Sequence, residues 1–325
     1  MENKRKKIVI TRTLPDIAKQ QLDKHLDCDI SIWEEALPAN KQQLMELCQN
    51  ADAILCTLSD KISAEIIAVA PNLKVIANYA AGYNNIDVAK SNEKNIVVTN
   101  TPNVLHHTTA ELALSLLLSV ARKISQSASY AKDGGWQTWE PLGFLGTDLR
   151  GKTLGIIGMG QIGYSLAQSA YHGFNMKILY HGPNQKPIAD KNLHAQFCDL
   201  HTILKESDFI SLHCPLNTQT EKIIGKEQLM LMKKDAIIIN TARGEVIDQD
   251  ALIEVMQSGH LAGAGLDVTT PEPLPTDNPL FAMDNVLILP HIGSATVATR
   301  EKMAKMAADN IIAVLNGKPA PHAVN

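Results

Sequence analysis

The sequence predicts an α/β protein made of two doubly wound parallel-sheet domains, and three observations predict it. The stretch Leu154–Gly163 reads as a short buried strand, a glycine turn and a helix opening near Gln161, with Gly158, Gly160 and Gly163 in G-x-G-x-x-G spacing. The first hundred or so residues alternate strand and helix signals, the pattern of a parallel sheet covered on both faces. Past Arg150, strand signals recur near Leu154, Lys177, Phe209, Ala236, Ala264 and Val286 with helices between them. Six such strands match a doubly wound dinucleotide-binding sheet.

In the first domain, strands are expected at Ile8–Thr11, Asp29–Trp33, Ala53–Cys56, Leu73–Ala77 and Ile96–Val98. Helices are expected at Pro15–His25, Lys41–Cys48 and Ser63–Val69, with a loop at Thr57–Asp60. Thr108 or Thr109 opens a long helix that runs to Arg122 or beyond. Its hydroxyl can cap free N–H groups, and Glu111 suits the positive end of the dipole. That helix is apolar nearly all round, which predicts a central position crossing between domains. Lys132–Arg150 reads as a loop rich in glycine and tryptophan. The last helix, Ala295–Asn316, follows the completed second sheet and is expected to return to the first domain. The expected boundaries are 1–101 with 294–325 for the first domain and 102–293 for the dinucleotide-binding domain.

At 325 residues, two domains are the natural reading. An apolar content of 45% with few aromatics implies an aliphatic core. A net charge of −4 gives no reason to expect nucleic-acid or membrane binding. The start, Met1–Lys7, is basic, but Ile8–Ile10 is too short for a signal-peptide core. The most apolar run, Leu112–Val120, is too short to span a bilayer. Five scattered cysteines without Cys-x-x-Cys argue against disulfides and a metal site, and they fit a reducing cytoplasm.

In the glycine turn, Gly158 permits the tight bend, Gly160 lets a pyrophosphate approach the backbone, and Gly163 lets the helix pack on the strand. The helix start then offers free N–H groups and a positive dipole end. Three polar residues follow later strands: Arg243 in Asn240–Gly244, Glu272 beyond Gly265–Val268, and His291 in Pro290–Gly293. Open α/β sheets place ligands at these strand ends. Arginine binds a carboxylate bidentately, and histidine can pass a proton to a carbonyl oxygen as hydride arrives. A neighbouring glutamate can hold the imidazole and favour its charged form. Taken singly, Arg243 also reads as a surface charge, Glu272 as a turn residue between two prolines, and His291 as a structural histidine. In Asn78–Asp87 the small residues leave the Ala81 and Gly82 amides able to hold an anion, while the plainer reading is a turn in which Asp87 caps a helix.

In this order, Leu58-Ser59, Ala80–Tyr83, Thr108–Glu111, Gly158–Gly163, His213–Leu216, Asn240–Gly244, Gly265–Val268, Glu272-Pro273 and Pro290–Thr296 are highly specific. The chain resembles the D-isomer-specific 2-hydroxyacid dehydrogenases over nearly its whole length. The likeness is to their glyoxylate/hydroxypyruvate reductase branch, which includes 2-ketogluconate reductases. The resemblance implies a discontinuous flavodoxin-like substrate domain and a Rossmann dinucleotide-binding domain with the active site in the cleft. It implies reversible hydride transfer between a nicotinamide and C2 of a small 2-oxo acid. Arg243 would bind the substrate carboxylate and carbonyl, His291 would be the acid/base, and Glu272 would pair with it. The Ala81 and Gly82 amides would hold the carboxylate, with Leu58, Ser59 and Ser294 bordering the pocket. Met159, Gly160, Gln161 and Ile162 would wrap the pyrophosphate, with Gly158 and Gly163 shaping the turn. Cys214 and Pro215 would line the adenosine side, while Thr241, Ala242 and Asp267 approach the nicotinamide. Thr108, His181, Gly182 and Gly293 complete the expected cofactor contacts. The family usually forms homodimers, and Trp139 matches a tryptophan that closes the partner's substrate pocket.

NAD-specific relatives carry an acid just after the second strand of the dinucleotide domain. Here Tyr180 is followed by His181–Lys186, and no acid appears before Asp190. His181, Asn184 and Lys186 can donate to a 2′-phosphate, so NADPH is expected to be preferred with NADH also used. A non-catalytic NAD(H)-sensing scaffold on the same fold is the alternative of a different class. It is disfavoured by the full set of Arg243, Glu272 and His291 and by the lack of long tails. A phosphoglycerate dehydrogenase is disfavoured by the absence of a C-terminal regulatory domain, and a formate dehydrogenase by the presence of Glu272.

Overall fold

The computed structural model describes residues 5–325. They form two units: the chain through Leu105 joined by Ser294–Asn325, and the intervening His106–Gly293. The first unit begins β1 (Lys6–Ile10), α1 (Ile17–His25), β2 (Cys28–Ile32), α2 (Lys41–Cys48), β3 (Ala53–Cys56) and α3 (Ala64–Ala68). It continues β4 (Val75–Asn78), α4 (Val88–Glu93) and β5 (Val97–Thr99). All five strands are parallel, in the order β2-β1-β3-β4-β5. The period-2 alternation of a strand splits its side chains between two cores. Ile8 and Ile10 face one with Ala18 and Leu22 of α1, and Val9 faces the other with Leu44 and Cys48 of α2.

The second unit contains α5 (His106–Ala121), α6 (Ile124–Lys132), β6 (Thr153–Ile157), α7 (Gln161–Phe174), β7 (Lys177–His181), α8 (Pro187–Leu193) and β8 (Gln196–Phe197). Then come α9 (Leu200–Glu206), β9 (Phe209–Leu212), α10 (Lys226–Leu231), β10 (Ile237–Asn240), α11 (Gln249–Gln257), β11 (Gly263–Leu266) and β12 (Val286–Ile288). The sheet is parallel and seven-stranded, in the order β12-β11-β10-β9-β6-β7-β8. The final helix, α12 (Val297–Leu315), packs in the first unit on α1, β3 and β4 through Met303, Ala304, Ala307 and Ile311.

Several local expectations shift. The edge strand β8 makes seven strands rather than six; at two residues, both exposed, it leaves almost no apolar pattern to read. Residues 124–132, where the long helix is expected to run on past Arg122 toward a loop from Lys132, form the separate helix α6, set off because Lys123 turns to φ 51°. The helix α5 starts at His106, so Thr108 and Thr109 lie within its first turn rather than capping it. The Thr109 hydroxyl instead donates to the Gly293 carbonyl at 3.0 Å. As its composition implies, α5 is buried, packing on α7, β10, β11 and β12. Leu116 and Leu117 are almost inaccessible, and each such side chain contributes about 1.5–3 kcal/mol.

One acid ties the amino ends of the central strands together. The Asp208 carboxylate accepts from the Thr153 amide at 2.8 Å and from Lys233 Nζ at 2.9 Å. Its backbone pairs with Thr153 and Ile237. Burial opposes the charge of Asp208, but the Thr153 amide and Lys233 outweigh it and hold the carboxyl below its usual range. A folded-state pKa below the unfolded value gives stability that is present at neutral pH and lost as pH falls through the acid range. Asp208→Asn is therefore expected to cost about 1–2 kcal/mol at pH 7. Denaturant unfolding should show that difference shrinking toward pH 3, and an equal cost at both pH values would contradict it.

Candidate active site

The strand order reverses between β6 and β9, and at that point the glycine turn meets the end of β9. Gly158 has φ 100°, a conformation side chains rarely adopt, and a Cβ there would overlap the backbone at His213–Cys214. A Cβ at Gly163 would collide with the Gly158 carbonyl, so α7 can lie against the turn only as glycine. Gly160 faces open space, with no atom near a built Cβ. It is the N-cap of α7 and supplies no side-chain partner, which leaves the first N–H groups of Gln161 and Ile162 aimed outward. A helix start of this kind, with free N–H groups and a positive dipole end, can hold an anion such as a diphosphate. The Met159 side chain is buried in the core, so only its backbone belongs to the turn.

Beside this turn, His213 holds Ser211 Oγ at 2.9 Å through Nε2 and Thr241 Oγ1 at 3.3 Å through Nδ1. Burial lowers its pKa to about 3, so the ring stays neutral near pH 7. Burial likewise pushes the Cys214 thiol up to about 11, which makes it a wall rather than a nucleophile. In sequence His213 is only one residue of the segment His213–Leu216; its two hydroxyl partners, Ser211 and Thr241, are brought to it by the fold.

At the end of β7, His181 Nδ1 lies 3.0 Å from the Cys198 carbonyl. The first acid along the chain after Tyr180, Asp190, accepts from Tyr180 Oη at 2.7 Å and from Gln185 Nε2 at 2.6 Å. Both carboxylate oxygens are thus engaged inside the β7–α8 connection. Tyr180 Oη also accepts from the Lys186 amide at 2.7 Å.

Arg243, Glu272 and His291 follow β10, β11 and β12, at the carboxyl ends of three adjacent strands. The buried Asn240 side chain folds the first loop: Oδ1 accepts from the Ala242 amide at 3.0 Å, and Nδ2 donates to the Arg243 carbonyl at 2.9 Å. Arg243 Nη1 donates to the Ala242 carbonyl at 2.7 Å. Burial pulls its pKa down, and Glu272 and Glu245 pull it back up. His291 Nδ1 lies 3.1 Å from Glu272 Oε2 and 3.2 Å from Oε1. The histidine has φ 54°, a strained value for a non-glycine residue.

Asp267 holds that conformation. Its carbonyl accepts from the His291 amide at 3.0 Å, and its carboxylate accepts from Ile292 at 2.7 Å and Gly293 at 2.8 Å. Burial pushes the Asp267 carboxyl up despite the opposing pull of those amides and of His291. Its expected place near the nicotinamide therefore coincides with a structural task, gripping the turn that carries His291.

In the first unit, the carbonyls of Ala80, Ala81 and Gly82 accept from the Thr101 amide, Asn100 Nδ2 and Asn78 Nδ2 at 2.9, 2.7 and 2.8 Å. The Ala81 and Gly82 amides meet no acceptor among the described residues, so they form a free donor pair. Asp87 does cap α4, accepting from the Lys90 amide at 2.8 Å, and this leaves that pair untouched. Leu58 and Ser59 stand in the loop after β3. Trp139 and Trp136 lie in the loop after α6 and are 81% and 72% exposed, so neither ring anchors the loop to its own chain.

Residues 114–293 match the family model described as D-isomer specific 2-hydroxyacid dehydrogenase, NAD binding domain. Glyoxylate reductase of Thermococcus litoralis is 45% identical over 98% of this chain and 96% of its own. That of Korarchaeum cryptofilum is 42% identical over the same shares. A crystal structure of a Thermus thermophilus protein has a TM-score of 0.93 at 43% identity, covering 98% of this chain and 100% of that one. The NADPH-dependent glyoxylate/hydroxypyruvate reductase of Sinorhizobium meliloti, solved with NADP and malonate, has a TM-score of 0.85 at 28% identity, covering 98% and 97%.

Because Gly160 has ordinary φ and open space, Gly160→Val should fold normally while its side chain fills the mouth of the α7 N-terminus. The expected result is an unchanged melting temperature and a dinucleotide Kd weaker by at least about tenfold, or ~1.4 kcal/mol. Fluorescence titration with NADPH checks this, and unaltered affinity would remove the turn from the binding site.

Proposed function

The chain belongs to the D-isomer specific 2-hydroxyacid dehydrogenase family, and on that premise we propose that it reduces a small 2-oxo acid to the D-2-hydroxy acid with NAD(P)H. Glyoxylate, hydroxypyruvate and 2-ketogluconate are the candidate substrates. The observation that carries the reading is the His291–Glu272 pair at 3.1 Å, on strand ends of the sheet that bears the glycine turn. Relatives named glyoxylate reductase, at more than 40% identity over nearly the full length, support the substrate class.

The reduced nicotinamide, when bound, supplies a hydride to C2. This chain's residues supply the rest. Arg243 takes the substrate carboxylate and carbonyl in its bidentate fork, and its partial burial strengthens that contact. His291 delivers the balancing proton to the carbonyl oxygen, with the imidazole aimed by Glu272. The Ala81 and Gly82 amides hold the carboxylate, and Leu58, Ser59 and Ser294 border it. Gly158–Gly163 take the diphosphate, Cys214 and Pro215 the adenosine side, and Thr241, Ala242, Asp267 and Gly293 the nicotinamide side. Thr108, His181 and Gly182 complete the cofactor contacts.

NADPH is the preferred donor in this reading, with NADH accepted, because no acid directly follows Tyr180, and Asp190, the first one after it, is turned to Tyr180 and Gln185 inside the β7–α8 connection. The enzyme is read as cytoplasmic, which its five free thiols suit. In steady-state assays, His291→Ala is expected to lower turnover by roughly two to four orders of magnitude while NADPH affinity changes little. In the parent, kcat/KM with NADPH should at least equal that with NADH. A tenfold advantage for NADH, about 1.4 kcal/mol, would overturn the cofactor assignment.

The same reading makes the enzyme a homodimer in which Trp139 shapes the partner's substrate pocket. Support comes from the apolar surface of the loop that carries it: Trp136, Trp139, Leu142 and Leu145 are all exposed. Trp139→Gly should then weaken discrimination among 2-oxo acids more than it weakens NADPH binding. A fully active monomer in analytical ultracentrifugation would end this part of the reading.

A further inference from the structure

The first sheet has its own switch point, between β1 and β3, where α/β sheets hold ligands at the carboxyl ends of their strands. The loop after β3 stands at that point and meets the turn after its other neighbour, β4. The loop 57–60 follows β3 and folds over its own acid: Asp60 Oδ2 accepts from Thr11 Oγ1 at 2.6 Å, the Thr57 amide at 2.7 Å and Thr57 Oγ1 at 2.8 Å. Ser59 Oγ lies 2.9 Å from Thr57 Oγ1. The turn 80–85 follows β4 and presents the free Ala81 and Gly82 amides.

A backbone bridge pairs Ile62 with Ile86 just beyond the two loops, the Asn85 carbonyl accepting from the Ile62 amide at 2.9 Å, and the Asn85 side chain joins the loops themselves. Asn85 Nδ2 donates across to the Thr57 carbonyl at 3.0 Å and the Asp60 carbonyl at 3.1 Å. Its Oδ1 accepts from Asn78 Nδ2 at 3.0 Å. The fully buried Asn78 spends its other N–H on the Gly82 carbonyl. The chain of contacts therefore runs from the Gly82 backbone through Asn78 and Asn85 to both ends of the 57–60 loop.

We propose that Asn85, oriented by Asn78, is a positioning residue that locks the 57–60 loop and the Ala81–Gly82 donor pair into one carboxylate cradle. This rests on the substrate reading above. Only an amide side chain fits the place. It must donate to two carbonyls and also accept from Asn78, which neither an acid nor a hydroxyl can do at that length. Without it, the Ile62–Ile86 bridge and the separate anchors Asp60 and Asn100 remain, but the Thr57 and Asp60 carbonyls lose their link to the turn that carries the Ala81–Gly82 pair. An ångström of drift at a positioning group costs up to roughly a hundredfold.

The test uses Asn85→Asp, which keeps shape and acceptor but removes the donor, and Thr57→Val, which removes the hydroxyl joining Ser59 to Asp60. Glyoxylate KM and the Kd of oxamate, a 2-oxo-acid mimic that cannot accept hydride, are measured on the NADPH-loaded enzyme. NADPH Kd, saturated kcat and melting temperature are followed alongside. The expected result for Asn85→Asp is a rise of about tenfold in both KM and oxamate Kd, with kcat within about threefold and NADPH Kd within about twofold. Thr57→Val should move the same two constants in the same direction, and it decides the matter if Asn85→Asp does not fold. Unchanged KM and oxamate Kd overturn the proposal. So does a parallel loss of kcat, NADPH affinity and stability, which would mark a purely structural role. Arg243→Gln serves as control: if it leaves glyoxylate KM and kcat intact, the substrate reading itself has failed, and that is told apart from a failure confined to Asn85.

Discussion

The second unit is organised by a steric constraint at one residue. The reversal of strand order leaves β6 and β9 side by side with their crossovers leaving in opposite directions. The backbone leaving β6 must pass within contact distance of His213–Cys214, which only a residue without a Cβ, at φ 100°, can do. Gly158 meets that condition, and its amide donates to the His181 carbonyl at 2.9 Å. Once the turn is set, α7 starts at Gly160 with free amides facing outward, and the neighbouring parallel strands point their carboxyl ends the same way. The anion site and the loops bearing Arg243, Glu272 and His291 therefore share one edge of the sheet as a consequence of parallel pairing.

Loops at such an edge have no ladder to hold them, and this chain holds them with buried polar side chains. The chemistry of each staple suits its target. Carboxylates only accept, so Asp267 gathers the amides of Ile292 and Gly293, and Asp60 gathers the Thr57 amide and two hydroxyls. Carboxamides donate and accept, so Asn240 closes a loop on both an N–H and a carbonyl, and Asn78 and Asn85 link backbone to backbone. A buried group of this kind costs free energy unless satisfied, and satisfied it fixes one geometry; Asp60 concentrates its three bonds on Oδ2 and leaves Oδ1 without a partner among the described residues. At His291 that geometry is strained, and the three bonds accepted by Asp267 offset the cost.

The electrostatic design separates groups that must carry charge from groups that must not. His213 and Cys214 are kept neutral by burial, so neither competes for protons nor attacks a bound ligand. Arg243 is partly desolvated, which strengthens whatever anion it meets, and Glu272 supports its charge. At the end of β7, Asp190 is taken out of play by Tyr180 and Gln185. His181 there contacts the Cys198 carbonyl and lies within electrostatic reach of Asp199.

The fold class was legible in sequence because its signals are local. Short aliphatic strands, the glycine spacing and the capped helices each occupy under twenty residues, and their alternation dictates a parallel α/β sheet. The positions of Arg243, Glu272 and His291 just after strands were legible for the same reason. Features that depend on partners far along the chain were not. The two-residue strand β8 exists only because β7 offers an edge, and the Thr109 hydroxyl bonds a carbonyl 184 residues away instead of capping its helix. The return of α12 to the first unit is legible from its place after the completed second sheet, while its contacts on α1, β3 and β4 are settled by packing. The staples show it most plainly. Asn78 and Asn85 read as ordinary turn residues, and Asp267 reads as the end of a strand. Sequence set which donors and acceptors these side chains carry, and only the tertiary structure, by withdrawing them from water, decided which backbone groups they must satisfy.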